Sequence, residues 1–284
     1  MEKKHVQYLV VDAFTETAFE GNPAAVCLLE EEKDDQWLQS VAAEFNTPAT
    51  GFLTRLSDGV SSNPRFFIRF FTPVTEVPLC GHVTLAASHI IFTNGFLNSD
   101  LVEFVTKSGV LTARKIHETE KNESFLIELD FPAVLTTEVV NSVDLALHKA
   151  LGSISVVDVR MSALDLFVVV PSAEAVTELQ PNFDEILKYP ARAIIVTGAA
   201  QPESGYDFYT RVFSPKLGIN EDHVTGSVHC ALATYWCDKL GKCNFKAYQA
   251  SPRSGVLNIH FDKQNQRVLL RGKAVAVMKG CLLV

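Results

Sequence analysis

Residues 82–93 read HVTLAASHIIFT. This stretch is long enough for about three helical turns. It is apolar on almost every side and is followed by Asn94-Gly95, a pair typical of a helix C-terminus. A helix that is hydrophobic all round has no face for solvent and must be covered by other elements. The stretch therefore predicts a buried central helix.

A second stretch of the same character, GSVHCALATYWCDKL, lies at 226–240 and ends before Gly241. A third helix is predicted at 34–46, because its apolar side chains share one face and Asp34 or Asp35 can cap its N-terminus. The apolar face of this third helix comprises Trp37, Leu38, Val41, Ala42 and Phe45. Shorter helices are predicted at 143–151 and around 182–188.

Runs of alternating and β-branched residues, typical of strands, surround each buried helix. The first, VQYLVVDAF at 6–14, is broken by an aspartate and reads as a strand rather than a signal peptide. Strands, an apolar helix and further strands occur twice, without the strand–helix rhythm of a parallel sheet. This predicts an α+β fold. An N-terminal domain is expected at 1–128 and a C-terminal domain at 129–272, and a last strand at about 273–284 can return to either half.

Composition narrows the class of ligand. The chain has 284 residues. A single hydrophobic core rarely extends over a chain of this length, so two domains are expected. Its net charge is −8 and no run of Lys or Arg exceeds two residues, which argues against nucleic acid or an anionic membrane as partner. No apolar run is long enough for a membrane span. A small molecule is the expected ligand.

The six cysteines are scattered, without a CxxC motif or metal-ligand spacing. They fit a reducing, cytoplasmic compartment, and most are expected to be buried small hydrophobic residues. No metal site is predicted. These cysteines are Cys27, Cys80, Cys230, Cys237, Cys243 and Cys281.

The turn PLCGHVTLA at 78–86 leads into the first buried helix. Free N–H groups and the positive end of the helix dipole at such a terminus hold negative charge. His82 there can transfer a proton, or it can be a loop histidine bonded to a backbone carbonyl. Cys80 on the same turn can be a thiol of lowered pKa.

The turn NEDHVTGSVHC at 220–230 leads into the second buried helix in the same way. Asp222, Thr225 or Ser227 can simply cap that helix. Asp222 is also followed by His223, a carboxylate beside an imidazole in sequence. Two glycine turns that face one cleft would bind an anionic small molecule and stabilise a carbanion or enolate.

Four long stretches in collinear order resemble the PhzF family of phenazine-biosynthesis-like proteins, including its plant members. The resemblance runs from about Tyr8 to the C-terminus. It implies the diaminopimelate-epimerase-like fold: two pseudo-symmetric domains, each an antiparallel β-barrel-like sheet around a central apolar helix, with the site in the cleft between them. The stretches are VDAFTETAFEGNPAAVCLL, FFTPVTEVPLCGHVTLAASHIIF, YDFYTRVFSPKLGINEDHVTGSVHC and AYQASPRSG.

The resemblance also implies a homodimer without metal or organic cofactor, and a last strand that returns to the first domain. The family's characterised chemistry is the acid–base isomerisation of a dihydro-hydroxyanthranilate. The Gly81-His82 turn, Asp222 and Ser227 fall on family active-site positions, and Thr225 and Gly226 lie in the same turn as the last two. Substrate binding is expected at Gly81, Thr225, Gly226 and Ser227. The family's main proton carrier is the glutamate of an NLSET segment.

Here that segment reads NTPAT, residues 46–50, so the glutamate position is Ala49, which carries no proton but is kept as a candidate substrate contact. Pro48 in the same segment disfavours continued helix at Thr47, so a break in the helix is predicted here. Further departures fall in the same motifs while the fold-forming stretches look intact. This distribution favours a rebuilt site over general decay. The departures are His223 for a usual proline or alanine, Val83 and Val228 for smaller residues, and Phe70 for a usual tryptophan.

Two functions follow, and a third reading stays open. In the first, the protein is an isomerase-like enzyme of the isomerase, lyase or cyclase kind, acting on a small anionic metabolite. His82 and His223 carry protons, and Asp222 orients or shares one. In the second, it is a non-catalytic binding or scaffold protein. The third pairs Cys80 with His223 across the cleft, as two cysteines pair in epimerases.

Overall fold

A computed structural model describes residues 5–56, 59, 63–94, 99–118, 124–139, 145–163 and 165–283. The chain divides into two compact units, and each is described by itself. Unit 1 comprises Met1–Asp130 and Arg271–Val284, and unit 2 comprises Phe131–Leu270. The sequence placed the corresponding boundaries at 128/129 and 272/273.

Over the described residues the fold is mixed α and β, mostly sheet. Its α-helices are α1 (Asp35–Phe45), α2 (Gly81–Thr93), α3 (Leu145–Leu151), α4 (Ala173–Thr177), α5 (Phe183–Lys188) and α6 (Gly226–Leu240). The strands of the first part of the chain are β1 (His5–Ala13), β2 (Asn22–Leu29), β3 (Ala49–Leu56), β4 (Arg65–Phe71), β5 (Glu76–Val77), β6 (Leu101–Thr106), β7 (Gly109–His117) and β8 (Phe125–Pro132). The remaining strands are β9 (Thr137–Glu138), β10 (Asp158–Ser162), β11 (Asp165–Val170), β12 (Ala193–Ala199), β13 (Phe208–Ser214), β14 (Ile219–Asp222), β15 (Asn244–Gln249), β16 (Gly255–Asp262), β17 (Arg267–Gly272) and β18 (Ala274–Leu283).

Local sequence signals explain the helix ends. The Asp34 side chain accepts a hydrogen bond from the backbone N–H of Trp37, so Asp34 is the N-cap of α1. Asn46 ends the same helix in the left-handed conformation, at φ 51°. Gly241 does so for α6, at φ 65°, where a side chain would be strained. The predictions of helices at 34–46, 82–93 and 226–240 are confirmed. The prediction at 143–151 is confirmed from residue 145, because 143 and 144 lie outside the described residues.

The strands of unit 1 pair in the order β18–β1–β2–β3–β4–β6–β7–β8. The pairs β2–β3 and β4–β6 are parallel, and the others are antiparallel. Each parallel pair is separated in sequence by a helix, α1 in one case and α2 in the other. Parallel strands need such a crossover connection, whereas antiparallel strands can be joined by a short turn.

Unit 2 repeats this order of pairings. The series β10–β11–β12–β13–β15–β16 alternates antiparallel and parallel pairs as β1–β2–β3–β4–β6–β7 does. The expectation of an antiparallel sheet in each domain was therefore wrong, because both units also contain parallel pairs. Parallel pairing is non-local, and the hydrophobic pattern of a strand does not record which partner lies beside it.

The helix α2 is the core of unit 1. Ten of its thirteen residues are buried, and it contacts β1, β2, β3, β7 and β18. The strand β3 approaches it closely at Gly51, where an added Cβ would lie 2.5 Å from Val83 Cγ1. A larger residue at this position would require the Val83 side chain or the strand to shift. The quoted stretch 82–93 is thus buried as its composition predicts.

The helix α6 has the same character in unit 2. Every residue from Val228 to Cys237 is buried, and Phe208 stacks on Trp236 with ring centroids 5.4 Å apart. No helix in the described part of the chain has both the length and the apolar character needed to cross a bilayer.

Candidate active site

In unit 1, the candidate turn brings a thiol and an imidazole together. Cys80 is the N-cap of α2, and its Sγ lies 3.4 Å from Nδ1 of His82. His82 is 6% exposed, whereas Cys80 is half-buried. Thr84 closes the turn, because its hydroxyl donates to the carbonyl of Cys80 at 2.8 Å. The sequence named both Cys80 and His82 but did not predict their contact.

The N-termini of α2 and α6 share a property that suits an anionic ligand. Neither N-cap residue, Cys80 or Thr225, makes a side-chain capping hydrogen bond within the described residues. Backbone N–H groups in the first turn of a helix have no intrahelical partner. Glycine opens both helices, as Gly81 and Gly226, so no side chain at that position shields the backbone. Each terminus can therefore hold negative charge.

Ala49 is the first residue of β3 and is 2% exposed. Alternate residues of a strand point to the same face, so Ala49 shares a face with Gly51, the residue that packs against Val83 of α2. The hydroxyl of Thr47 donates to the Ala49 carbonyl at 3.1 Å. The side chain at position 49 thus lies on the face of β3 that α2 covers. That alanine here replaces a family glutamate stays a prediction.

In unit 2, a network of hydrogen bonds fixes the turn before α6. The hydroxyl of Thr225 donates to Oδ2 of Asp222 at 2.5 Å. The side chain of Gln249, which is fully buried, accepts from the Thr225 N–H at 2.7 Å and donates to the Asp222 carbonyl at 2.8 Å. The side chains of Asp222 and Thr225 therefore fix each other's position. The sequence offered Thr225 as a possible cap of α6, but its hydroxyl bonds to Asp222 and makes no capping hydrogen bond.

The other residues predicted in this turn differ in exposure. Ser227 is exposed, Gly226 is buried, and His223 and Asp222 are half-buried. Ser251 anchors the backbone at His223, because its hydroxyl donates to the His223 carbonyl at 2.6 Å. Hydrogen bonds with Gln249 and Ser251 thus hold the backbone of the turn, and Ser227 is exposed at the first turn of α6.

His229, one turn into α6, was not predicted as notable. Its Nδ1–H donates to the Thr225 carbonyl at 2.8 Å, and its ring stacks on Phe208. The side chain is fully buried, and burial lowers the pKa of the imidazole to about 4, against the opposing effect of that hydrogen bond. The residue is a neutral part of the support beneath the turn.

Sequence reasoning missed Gln249, although a signal existed. In β15, Phe245, Ala247 and Gln249 occupy the buried register. A polar side chain in the buried register of a strand must find hydrogen-bond partners. Such a residue marks a place where the strand supports something polar, here the turn 222–225.

The described residues contain no group of three or more His, Cys, Asp or Glu side chains placed to hold a metal ion. The structure brings Cys80 to His82 in unit 1, and Asp222 to Thr225 in unit 2. The reading that pairs Cys80 with His223 stays a prediction.

Comparison with known proteins decides the family. The model of the family described as phenazine biosynthesis-like protein, PhzC-PhzF, matches residues 11–280. The chain belongs to the PhzC-PhzF family. An uncharacterized isomerase of Halalkalibacterium halodurans is 44% identical over 276 residues, which cover 97% of each chain. The phenazine biosynthesis-like domain-containing protein 1 of Mus musculus is 38% identical, over 96% of this chain and 97% of its own.

Solved structures agree with the family. The crystal structure of a phenazine biosynthesis protein of the PhzF family from Enterococcus faecalis superimposes with a TM-score of 0.87 at 32% identity. The match covers 99% of this chain and all of that one. This PhzF-like chain is therefore similar over nearly its whole length to proteins that carry the names isomerase and PhzF.

Proposed function

We propose that the protein is a cofactor-independent acid–base enzyme of the isomerase, lyase or cyclase kind that acts on a small anionic metabolite. One observation carries the proposal: both buried helices begin with glycine, and the turn before each holds an ionisable side chain. In the described part of the chain, the residue before each glycine makes no side-chain capping hydrogen bond. Such termini bind a carboxylate and stabilise charge that develops on an enolate. Relatives named isomerases support the same class of reaction.

In unit 1, His82 is the proposed proton carrier. Cys80 engages its Nδ1 and so sets the orientation of the ring. A histidine takes up and releases protons near neutral pH, and a positioned one contributes about 10²–10⁴-fold to a rate. Gly81 would bind substrate through its backbone N–H. Ala49 would contact substrate without exchanging a proton.

In unit 2, Asp222 and His223 are the proposed acid–base groups. The Thr225 hydroxyl and the Gln249 amide hold the side chain and the carbonyl of Asp222, respectively. Gly226 and Ser227 would hold an anionic group of the substrate at the first turn of α6. That both turns act on one substrate, and that the protein works as a homodimer in the cytoplasm, stay predictions.

The test is solvent deuterium exchange into candidate substrates. The wild-type protein would be incubated in D₂O with a panel of small carboxylates that carry an acidic C–H bond next to a carbonyl or alkene. Nuclear magnetic resonance would follow each C–H signal. We expect exchange into at least one compound, and a loss of at least about 100-fold with His82→Asn or Asp222→Asn.

Matched controls exist for both substitutions. His117 and Asp238 have exposed side chains, so His117→Asn and Asp238→Asn should exchange as the wild type does. A compound that binds but never exchanges would support the alternative, a PhzF-like binding or scaffold protein. The family's dihydro-hydroxyanthranilate should turn over slowly, because Ala49 carries no proton. Fast turnover of that compound would contradict the proposed rebuilding.

A further inference from the structure

Two cysteines of unit 2 lie side by side, away from the turn described above. Cys237 belongs to the last turn of α6, and Cys243 directly precedes β15. Their sulfur atoms are 2.7 Å apart. A disulfide bond is about 2.05 Å long, so the two sulfurs need only a small movement to become bonded.

The backbone on both sides of this pair is fixed. Gly241 reverses the chain in the left-handed conformation, and its N–H donates to the Cys237 carbonyl at 3.1 Å. On the other side, the N–H of Phe261 donates to the Cys243 carbonyl at 2.8 Å. The short distance between the sulfurs therefore follows from the turn that ends α6.

We propose that Cys237 and Cys243 are a redox-active dithiol that closes to an intramolecular disulfide by exchange with a small-molecule disulfide of the glutathione type. The evidence for this modification site does not rest on the function proposed above.

The exchange has two steps. The Cys243 thiolate attacks one sulfur of the small disulfide, and the other sulfur leaves as a thiolate. The Cys237 thiolate then attacks the Cys243 sulfur and expels the second small thiolate. Two electrons pass to the small disulfide, and the two protons of the protein thiols end on the two small thiols. The products are one protein disulfide and two small-molecule thiols.

The environment decides the order of these steps. Cys243 is half-buried and can be reached, whereas Cys237 is 1% exposed. Burial raises the pKa of the Cys237 thiol to about 11, which disfavours it as the first nucleophile. Lys263 lies close enough that a charged Cys237 raises the pKa of the lysine. The thiolate that forms in the second step therefore has a cationic neighbour.

The other cysteines provide a contrast. Cys27 and Cys230 are buried, and burial raises the pKa of each thiol to about 12. Cys281 is exposed on β18, and Cys80 contacts His82. A reagent can modify an exposed thiol singly, but only neighbouring thiols form an internal link. The experiment must therefore detect the 237–243 link itself.

The test treats the reduced full-length protein with glutathione disulfide at neutral pH, blocks remaining thiols and maps tryptic peptides by mass spectrometry. Lys239 and Lys242 lie between the two cysteines, so trypsin separates them unless a disulfide joins the fragments. Tandem mass spectrometry of the joined fragments must place the bond at Cys237, because Cys230 lies on the same tryptic fragment. We expect the linked fragments in most wild-type chains and in the Cys281→Ser control. They should be absent from Cys243→Ser and Cys243→Ala.

A second measurement needs no variant. Phenylarsine oxide, which bridges two neighbouring thiols, should protect Cys237 and Cys243 together from alkylation in the reduced wild type. Two results would overturn the proposal: chains in which both thiols stay free under excess glutathione disulfide, and chains in which Cys243 stops as a glutathione adduct. A link that forms only in urea would overturn it as well, because the folded geometry would then have no part in it.

Discussion

The imidazole of His229 is kept neutral by its surroundings, and this has a consequence at low pH. Its pKa is about 4 in the folded chain, against about 6.5 for an unperturbed histidine. The unfolded chain therefore binds more protons between these values. The stabilising contribution is fully present above pH 6.5 and is lost as the pH falls through 4.

We therefore expect His229→Gln to reduce the loss of unfolding free energy between pH 7 and pH 4. The difference from wild type should be on the order of 2–3 kcal/mol, because one pKa unit corresponds to about 1.4 kcal/mol. Urea unfolding at several pH values, followed by tryptophan fluorescence, measures it. His117→Gln, at an exposed histidine, is the control. Equal pH slopes for His229→Gln and the wild type would contradict the assignment.

The surroundings of Ala49 include one feature that the sequence predicted and one that it did not. The segment NTPAT pointed to Ala49 as a candidate contact, and the sequence predicted a break in the helix at this point. The break is confirmed, because α1 ends at Phe45 and β3 begins at Ala49. The close approach of β3 to α2 at Gly51 was not predicted, because it depends on a pairing between residues far apart in sequence.

At the scale of elements, the end of β15 supports the beginning of α6. Gln249 satisfies the Thr225 N–H and the Asp222 carbonyl from a fully buried position. Gln249→Leu would leave both groups without that partner while it roughly keeps the volume. We expect the unfolding free energy to fall by about 2–4 kcal/mol, because each unsatisfied buried polar group costs about 1–3 kcal/mol.

Gln264→Leu is the matched control, because Gln264 is exposed in the turn between β16 and β17. It should change the unfolding free energy by less than about 0.5 kcal/mol. Urea denaturation measures both variants. If Gln249→Leu were as stable as the Gln264→Leu control, the network would not support the turn.

The elements also show why some features were predictable. The helices α2 and α6 were predicted because each is a continuous stretch of mostly apolar residues, which indicates burial on all sides. The mixed sheets were not predicted, because parallel partners such as β13 and β15 are not adjacent in sequence and their own residues do not indicate the pairing. Gln249 had a signal in the buried register of β15, but its partners at 222–225 lie far away in sequence. The contact between Cys237 and Cys243 was not predicted, because it depends on the turn after α6 and no spacing motif describes it.

The disulfide proposed for Cys237 and Cys243 would join two elements that also meet at the candidate site. The helix α6 starts at that turn and ends near Cys243, and β15 starts after Cys243 and ends at Gln249. Oxidation would thus tie the far ends of the two elements that hold Thr225 at their near ends. Oxidation or reduction of the two cysteines can therefore affect the turn 222–225 through α6 and β15.

At the scale of the whole molecule, unit 1 is built from two separate parts of the chain. The strand β18 pairs with β1 along its length, from His5 opposite Leu283 to Ala13 opposite Ala274. A chain that stops after Gly272 would leave one edge of β1 without this partner. Unpaired strand edges lose their backbone hydrogen bonds and promote aggregation.

We expect such a truncation to destabilise unit 1 and to spare unit 2. Hydrogen exchange followed by mass spectrometry should show faster exchange across β1 and β2, with β11 to β13 unchanged. Met278→Ser is the control, because that side chain is exposed and the backbone pairing is kept. Full protection of β1 in the truncated chain would contradict the role given to β18.

The pairing of β1 with β18 also sets an order of events during synthesis. A ribosome delivers residues 131–270, the whole of unit 2, before it delivers the strand that completes unit 1. Domains usually fold as units while the chain emerges, the N-terminal one first. In this protein we expect the reverse. Unit 2 folds completely first, and one edge of β1 stays unpaired until β18 has been synthesised. A nascent chain that stalls before residue 274 would then be a substrate for chaperones.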